Sequence, residues 1–228
     1  MVSSDLIKAD FDRIARLPAS KWNPNNLYHD YLLRHLPPSC NEVLEIGCGR
    51  GDFSRRLAKV SQRVTALDLA PEMISCARAQ SAEYGNIGYQ LADVMTCDFG
   101  DNRFDCIASL ATLHHLPFVD FLGRAKMLLK PGGMLLVMDL LQPEGWKDRL
   151  LDFVALPVSA SLRILNTRRL LPEREVRAAW EEHEKHDSYL TIDEVRKVCD
   201  GLLPGALVRK HLLWRYTLVW QNPFQARP

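Results

Sequence analysis

The sequence predicts an α/β protein whose mostly parallel sheet carries helices on both faces and ends in an antiparallel strand pair. Short apolar segments alternate with helical ones between Asn41 and Leu140, and such alternation produces crossovers between parallel strands. The run from Pro143 to Leu203 leaves this alternation and has mostly helical patterning. The last segments, up to Gln221, are rich in β-branched and aromatic residues, as strands are.

The individual elements follow from apolar periodicity and from the residues that begin or end helices. Residues 1–36 are predicted to be helical and amphipathic. Pro71 begins a helix, because its fixed φ and missing N–H suit the first turn. A further helix spans about 117–129 and ends at the Lys-Pro-Gly-Gly turn at 130–133. Strands are predicted at 43–46, 63–67, 87–91, 104–110, 134–140, 207–213 and 215–221.

The composition is that of an ordinary globular protein, and it argues against several functions. Hydrophobic residues make up 47% and charged residues 25% of the chain. The net charge of +1 offers no general attraction for nucleic acid or anionic lipid. No apolar run approaches the roughly 20 residues of a membrane span, and the N-terminus lacks a signal-peptide pattern. The six cysteines lack C-x-x-C spacing. We therefore expect a cytoplasmic protein without a membrane span, a nucleic-acid partner or a zinc site.

A glycine-rich loop directly follows the first predicted strand. Residues 45–51 have the sequence E-I-G-C-G-R-G, and Asp68 ends the next strand. Glycines let the main chain turn sharply and let a ligand lie against it. An acidic side chain at the end of the second strand can accept hydrogen bonds from both hydroxyls of a ribose. Because the carboxyl ends of parallel strands share one edge of a sheet, these features predict a nucleoside pocket at that edge.

The spacing of the glycines disfavours a dinucleotide. The dinucleotide fingerprint is G-x-G-x-x-G, in which the third glycine permits close packing beneath a pyrophosphate. Here the glycines are Gly47, Gly49 and Gly51, and Asp52 occupies the position of the third glycine of that fingerprint. A carboxylate at this position repels a pyrophosphate, so an NAD-dependent oxidoreductase is the less favoured interpretation.

Five motifs, in order along the chain, together resemble those of the class I S-adenosylmethionine-dependent methyltransferases of the small-molecule type. The first looks like the family's E-x-G-x-G-x-G motif, and the third, Ala92-Asp93-Val94, looks like its adenine-contacting acidic motif. The five lie at 45–51, 64–74, 92–94, 104–109 and 128–133. This resemblance implies a Rossmann-like fold, S-adenosylmethionine as cofactor and transfer of its methyl group.

The resemblance also implies which residues contact the cofactor. The main chain of the glycine loop would face the methionine part, Asp68 would bind the ribose hydroxyls, and Asp93 would accept a hydrogen bond from the adenine amino group. Leu69 and Met73 would flank the adenine ring, and core packing is the alternative for the apolar members of the set. The full set is Gly47, Cys48, Gly49, Asp68, Leu69, Met73, Asp93, Val94 and Leu110.

Two histidines after the fourth strand are the candidates for the acceptor site. His114 or His115 would line the acceptor pocket or act as a base. The more favoured interpretation is that both are packed, hydrogen-bonded histidines at a helix start. His183 and His186 lie three residues apart amid acidic residues. We interpret that stretch as a solvated charged face, and no metal site is predicted.

We expect a single domain built from four parts, because 228 residues exceed the usual size of about 150 residues by too little for two domains. Residues 1–36 would be a helical N-terminal lid, and 41–141 the cofactor-binding core. Residues 142–205 would be a helical insertion that caps the acceptor, and 206–221 the terminal strand pair.

Acceptor identity should reside outside the shared core. Trp22, Tyr28, His29 and Tyr31 could cover the cofactor, and the apolar run 150–158 could line a lipophilic acceptor pocket or form a homodimer face. Ordinary helix packing is the alternative for that run. The near-balanced charge of the insertion favours a small organic acceptor over nucleic acid. A cofactor-binding partner subunit that does no chemistry stays open as an alternative function, as does a different transfer on the same fold.

Overall fold

The computed structural model describes residues 3–20 and 22–223, except for the side chains of residues 147–152 and 154. Seven strands lie within these residues: β1 (Glu42–Ile46), β2 (Arg63–Asp68), β3 (Ile87–Leu91), β4 (Phe104–Leu110), β5 (Leu129–Leu140), β6 (Leu207–His211) and β7 (Arg215–Gln221). They form one sheet with the strand order β3-β2-β1-β4-β5-β7-β6.

Eight α-helices lie within the same described residues. They are α1 (Ser4–Ala15), α2 (His29–Leu33), α3 (Asp52–Leu57), α4 (Pro71–Gln80), α5 (Phe118–Leu128), α6 (Gly145–Thr167), α7 (Arg174–Glu184) and α8 (Ile192–Leu202). Short 3-10 turns precede α2 and α5, at Pro24–Tyr28 and Leu113–His115.

The sheet is parallel from β3 to β5 and antiparallel beyond it. Strand β1 pairs with β2 on one side and with β4 on the other, while β7 runs antiparallel to both β5 and β6. The chain therefore winds outward from β1 to β3 and then returns to β4. At such a reversal the loops after β1 and β4 turn to opposite faces, which leaves a crevice at the carboxyl ends of the strands. The predicted fold class is confirmed.

Both faces of the sheet are covered, which explains the nearly continuous apolar runs of its strands. Val43 and Leu44 of β1 are both fully buried, but they belong to separate apolar clusters on opposite faces. The cluster around Leu44 includes Phe121 of α5, and the cluster around Val43 includes Ile74 of α4. Successive strand residues point to opposite faces, so each strand contributes to both layers.

Strand β5 begins earlier than the sequence predicts. The Lys-Pro-Gly-Gly turn was expected to precede a strand at 134–140, but Leu129 already pairs with Phe104 of β4. The register between these two strands then shifts, and Gly132 has a φ of +83°. The turn is therefore an irregularity inside β5, because Leu129 pairs with β4 before the glycines and Met134 pairs with it after them. This part of the prediction was wrong.

The terminal hairpin follows the prediction closely, but its first strand is shorter. Strand β6 ends at His211, whereas the apolar pattern extends the predicted strand to Leu213. Leu213 and Trp214 have φ values of +64° and +58°. These left-handed residues form the turn between β6 and β7, and a strand cannot continue through them.

Helix α6 exposes several apolar side chains. Phe153 and Leu156 are 76% and 60% exposed, whereas Ala155 between them is buried. The side chains of Leu150, Leu151 and Val154 lie outside the described residues, so the role given to the run 150–158 stays a prediction. In the part of the chain that the structure describes, no helix is both long enough and apolar enough to cross a bilayer.

Candidate active site

The glycine loop after β1 contains three glycines in the left-handed region. Gly47, Gly49 and Gly51 have φ values of +71°, +51° and +77°. A Cβ added at Gly47 would lie 2.0 Å from the Thr112 hydroxyl oxygen, so this glycine allows the loop after β4 to approach the loop after β1. A Cβ added at Gly49 would meet nothing within 4 Å. The main chain at Gly49 is therefore open on this side.

Asp68 at the end of β2 is fixed beside this open main chain. Its Oδ2 accepts a hydrogen bond from the Gly49 N–H at 2.8 Å, and its Oδ1 accepts one from the Ala70 N–H at 2.9 Å. Burial raises the pKa of Asp68, while the backbone hydrogen bonds from Ala70 and Gly49 act in the opposite direction. Two carboxylate oxygens offer about four acceptor positions. Asp68 can therefore hold the two loops together and still accept hydrogen bonds from a ligand.

The other members of the predicted cofactor set lie around the same edge of the sheet. The Cys48 N–H donates to the Leu67 carbonyl at 2.8 Å, so that group is already satisfied within the loop. Met73 is buried in a cluster with Ile14 of α1, and Leu69 is half-buried. Leu110 is half-buried at the end of β4.

The acidic motif after β3 forms a tight turn. Asp93 accepts a hydrogen bond from the Met95 N–H through Oδ1 at 2.8 Å. Val94 is buried, and its carbonyl oxygen accepts a hydrogen bond from the Arg124 guanidinium. Part of the Asp93 carboxylate is thus used inside the turn, and its other oxygen is the one open to a ligand.

Helix α1 is tied to the glycine loop through Arg50. The Arg50 guanidinium donates to the carbonyl oxygens of Ile14, Ala15 and Leu17 at 3.0, 3.0 and 2.7 Å. The last carbonyls of a helix have no intrahelical partner, and a cation beside them also interacts favourably with the helix dipole. The C-terminal end of α1 is therefore held against the glycine loop.

Two tyrosines after α1 contact the terminal hairpin. Tyr28 donates its hydroxyl hydrogen to the Leu212 carbonyl at 2.8 Å, and the rings of both Tyr28 and Tyr31 contact His211 of β6. His29 packs against Phe53 of α3. Trp22 is buried. Tyr28 and Tyr31 therefore pack against the terminal hairpin, and the C-terminal end of α1 bonds to Arg50 of the glycine loop.

His114 forms a buried pair with Asp139 at the ends of β4 and β5. Its Nδ1 lies 2.7 Å from Asp139 Oδ1, and its backbone N–H donates to Asp139 Oδ2 at 2.8 Å. Asp139 is only 2% exposed. A carboxylate that accepts from Nδ1–H fixes the tautomer and leaves the lone pair of Nε2 available. The Nε2 lone pair can accept a proton or bind a metal ion.

Three further side chains join this pair from distant parts of the chain. Asp187 lies between His114, His115 and His183, and His183 Nδ1 is 3.3 Å from Oδ2 of Asp10 in α1. His183 is only 3% exposed. The interpretation of its stretch as a solvated face was wrong for this residue, because α7 packs against α1 along the side that carries His183.

Sequence reasoning missed His183, Asp187 and Asp10 as members of the site. The available signal was the four-residue spacing of Ala179 and His183, which places both on one side of α7. Both are buried. The charged composition of α7 obscured this spacing, and His186, three residues farther on, is only half-buried.

The histidines differ in their affinity for protons. Burial by itself lowers the pKa of His114, but the charge and hydrogen bond of Asp139, together with the charge of Asp187, raise it above the ordinary value. Burial, and then the charge of His114, lower the pKa of His115 to about 4. At neutral pH His115 is therefore uncharged. The site can remove a proton from a bound molecule or hold a cation.

Comparison with known proteins identifies the family. Residues 43–133 match the family described as "Methyltransferase domain". An uncharacterized methyltransferase of Mycobacterium tuberculosis is 30% identical over 208 residues, which cover 89% of this chain and 98% of the relative. The chain belongs to the class I S-adenosylmethionine-dependent methyltransferases. S-adenosylmethionine is its cofactor.

Other similarities to this methyltransferase are more distant or cover less of the chain. A ubiquinone biosynthesis O-methyltransferase of Xylella fastidiosa is 33% identical over 149 residues, which cover 60% of this chain and 61% of the relative. The N-methyltransferase NodS of Bradyrhizobium japonicum, with S-adenosyl-L-homocysteine, has a TM-score of 0.64 at 18% identity and covers 95% of this chain and 98% of its own. A structure of the Haloferax volcanii complex between the Trm112 methyltransferase activator and a putative methyltransferase has a TM-score of 0.66 at 17% identity. The match covers 93% of this chain and 97% of that chain. These structures share the fold.

The buried Glu45 in the first motif of the methyltransferase makes stability depend on pH. Glu45 is 2% exposed and accepts a hydrogen bond from the Ser54 hydroxyl. Burial raises its pKa to about 8 from an ordinary value of 4.5, against the opposing effect of the Ser54 hydrogen bond. Between these values the folded chain holds a proton that the unfolded chain releases. This contribution to the free energy of unfolding therefore falls as the pH rises through that window.

We expect Glu45→Gln to remove this pH dependence. The difference in the free energy of unfolding, variant minus wild type, should be about 3 kcal/mol larger at pH 8 than at pH 5. Each pH unit within the window is worth about 1.4 kcal/mol. Urea unfolding at the two pH values measures the difference. The exposed Glu83, changed to Gln, is the control. An equal Glu45→Gln effect at both pH values would contradict the prediction.

Proposed function

We propose that this methyltransferase transfers the methyl group to an oxygen or nitrogen atom of a small organic acceptor at the carboxyl ends of β4 and β5. The observation that carries the proposal is the buried His114–Asp139 pair, with its 2.7 Å contact between Nδ1 and Oδ1. An O–H or N–H acceptor must lose a proton during methyl transfer, and a positioned imidazole can take it. The pair thus supports an acceptor that carries such a proton.

The residues around Gly49 and Asp68 fit the cofactor. The open main chain at Gly49 accommodates the methionine part, because a side chain there would fill the space that is now free. Asp68, held by the Gly49 and Ala70 N–H groups, has acceptor positions left for the ribose hydroxyls. Asp93 would accept from the adenine amino group. The cofactor supplies a methyl group activated by a positively charged sulfur, so the protein need only hold the acceptor in line and exclude water.

In this proposal His114 Nε2 receives the proton of the acceptor. Asp139 stabilises the imidazolium that forms, because its carboxylate is buried and accepts the Nδ1 hydrogen. Positioning of the acceptor contributes more than the base, since correct alignment is worth about 7–11 kcal/mol of barrier.

The immediate surroundings of the His114–Asp139 pair are mostly apolar. A small pocket beside it is lined by Leu113, His114, Phe118, Asp139, Leu140, Leu190 and Tyr216. Most of these side chains are apolar, and the pocket has no cluster of basic groups that would bind phosphates. Leu190 comes from the segment between α7 and α8, which agrees with the expectation that residues 142–205 cap the acceptor.

A transfer assay with methyl-labelled cofactor tests the function. The chain is incubated with a panel of phenols, other hydroxyl compounds and amines, and separately with RNA and with protein. We expect labelled product from a small molecule, together with an equal amount of S-adenosylhomocysteine. Label in RNA or protein would contradict the proposal. Tight binding of S-adenosylhomocysteine without transfer to any member would favour a cofactor-binding partner subunit instead. That second function has one observation behind it, the fold shared with a protein in complex with the activator Trm112.

A further inference from the structure

The carboxylate of Asp187 is surrounded by three imidazoles that do not hydrogen-bond to it. His115 Nδ1 and His183 Nε2 lie 3.6 and 3.7 Å from its Oδ1, and His114 Nε2 lies 3.9 Å from its Oδ2. These distances exceed the usual limit of about 3.2 Å for such bonds. All four side chains are more than nine-tenths buried. The four side chains therefore lie together in the interior, with the imidazole nitrogens too far from Asp187 to hydrogen-bond to it.

This spacing is close to that of ligands around one metal ion. Ligand atoms about 2.0–2.1 Å from a tetrahedral ion lie about 3.4 Å apart from one another. One ligand atom from each of His114, His115 and Asp187 can be chosen so that all three lie within 4.8 Å of one another. Separations of up to 4.8 Å are longer than this spacing, so the three side chains would have to close around the ion.

Carboxylates orient two of the imidazoles from behind. His114 Nδ1 is 2.7 Å from Asp139 Oδ1, and His183 Nδ1 is 3.3 Å from Asp10 Oδ2. In each case Nε2 faces Asp187. Histidines that bind metals usually donate their other N–H to a carboxylate in this way. The Tyr189 hydroxyl likewise donates to Asp187 Oδ2 at 2.7 Å and orients that carboxylate.

His115 has a buried ring nitrogen without a hydrogen-bond partner among the described residues. Its Nε2 is buried and has no hydrogen-bond partner among the described residues, while Nδ1 reaches no closer to Asp187 than 3.6 Å. A buried polar atom without a partner costs about 1–3 kcal/mol. Coordination of an ion through Nε2 would satisfy this atom, whereas coordination through Nδ1 would leave it an unpaired N–H.

We propose that His114, His115 and Asp187 bind one divalent transition-metal ion of the zinc type, with a fourth position open to the acceptor. Two imidazoles and one carboxylate are a donor set typical of catalytic zinc, which keeps one position free. Imidazole nitrogen disfavours Mg²⁺ and Ca²⁺, which prefer oxygen ligands. His183 lies beside Asp187 at 3.7 Å and is not one of the three ligands.

The metal site itself does not depend on the proposed function. The role of the ion in methyl transfer, described next, rests on that function. The ion would bind the acceptor oxygen or nitrogen at its open coordination position and would lower the pKa of the acceptor. The ion and a proton compete for the same lone pair of His114 Nε2. In the metal-bound chain the coordinated acceptor would release its proton to water, and in the metal-free chain the proton would pass to His114 Nε2.

Cobalt titration of the full chain after treatment with a chelator tests the site. Co²⁺ reports its ligands optically, which matters because the chain also has six free cysteines. We expect uptake of one Co²⁺ per chain, with weak ligand-field bands and no thiolate-to-cobalt charge-transfer band. Zn²⁺ added afterwards should displace the Co²⁺ and abolish the bands. Bound Co²⁺ should also raise the melting temperature, because it binds only the folded chain.

Matched variants assign the ligands. Asp139→Asn should weaken Co²⁺ binding about 10- to 100-fold, the usual effect of losing an orienting partner. His115→Ala and Asp187→Asn should weaken it by more than about 100-fold, since each removes a ligand. His186→Ala, on the same segment as Asp187 but outside the cluster, should leave binding unchanged. Circular dichroism confirms that each variant is folded.

Several results would overturn the metal site. These are the absence of stoichiometric uptake by the wild-type chain, a thiolate charge-transfer band, or equal affinity in wild type and in folded His115→Ala. None of them touches the proposed function, which the labelled-methyl assay tests in the presence of chelator. Conversely, Co²⁺ uptake by a chain that transfers no methyl group would leave the metal site standing and refute only the proposed function.

Discussion

Asp68→Ala is expected to bind S-adenosylhomocysteine about 10- to 150-fold more weakly than wild type, which corresponds to about 1.5–3 kcal/mol for hydrogen bonds to a charged group. The carboxylate is proposed to accept hydrogen bonds from the ribose hydroxyls, and it holds the Gly49 N–H at 2.8 Å beside the open main chain. Its removal therefore takes away direct contacts and also releases the glycine loop. Isothermal titration calorimetry measures the affinity.

Two further variants separate these contributions. Asp68→Asn keeps one oxygen acceptor but no charge, so its affinity should fall between those of wild type and Asp68→Ala. Asp101→Ala removes an exposed carboxylate in the turn before β4 and should change the affinity by less than about twofold. If folded Asp68→Ala binds as tightly as wild type, the ribose assignment is wrong.

His114→Ala is expected to lower kcat for methyl transfer about 100- to 10,000-fold in the chelator-treated chain, the range for loss of a general base. The affinity for S-adenosylhomocysteine should stay the same, because His114 is proposed to contact the acceptor and not the cofactor. His35→Ala is the matched control, since the His35 ring contacts the Tyr31 carbonyl, away from the cluster. Retention of kcat within about tenfold of wild type would remove His114 from the role of base.

The pH dependence distinguishes a base from a residue that only supports the structure. Asp139 raises the pKa of His114 against the effect of burial. Since only the neutral imidazole can accept a proton, activity should be lost as the pH falls through this pKa. Asp139→Asn lowers the pKa and should move the acid limb of kcat/KM to lower pH. An unmoved acid limb would show that the activity does not depend on His114 titration.

The cofactor side of the site could be inferred from the sequence because its parts follow consecutive strands. Gly49 and Asp68 are 19 positions apart, yet they meet at 2.8 Å because the parallel strands β1 and β2 end at the same edge. Alternating apolar runs are sufficient to predict that arrangement. The bulge in β5 was missed, because only the pairing of Leu129 with Phe104 extends the ladder past the glycines.

The polar cluster around His114 depends on contacts between residues that are far apart in the sequence, and these cannot be predicted from a local sequence pattern. His183 and Asp10 are separated by 173 positions and lie 3.3 Å apart, and Asp139 reaches His114 from the next strand of the sheet. Helix α7 has a mostly charged sequence, and its own composition indicates exposure. Packing of α7 on α1 decides instead that His183 is buried and that Asp187 faces the histidines after β4.

The sequence by itself determined the order of strands and helices, the methyltransferase family and the edge of the sheet that is proposed to bind the cofactor. These follow from short-range periodicity and from motifs that lie within single loops. Only the tertiary structure decided which polar side chains share the interior beside His114, because α1, α7 and β5 come together there from remote parts of the chain. In that shared interior burial lowers the pKa of His115, while the carboxylates of Asp139 and Asp187 raise the pKa of His114.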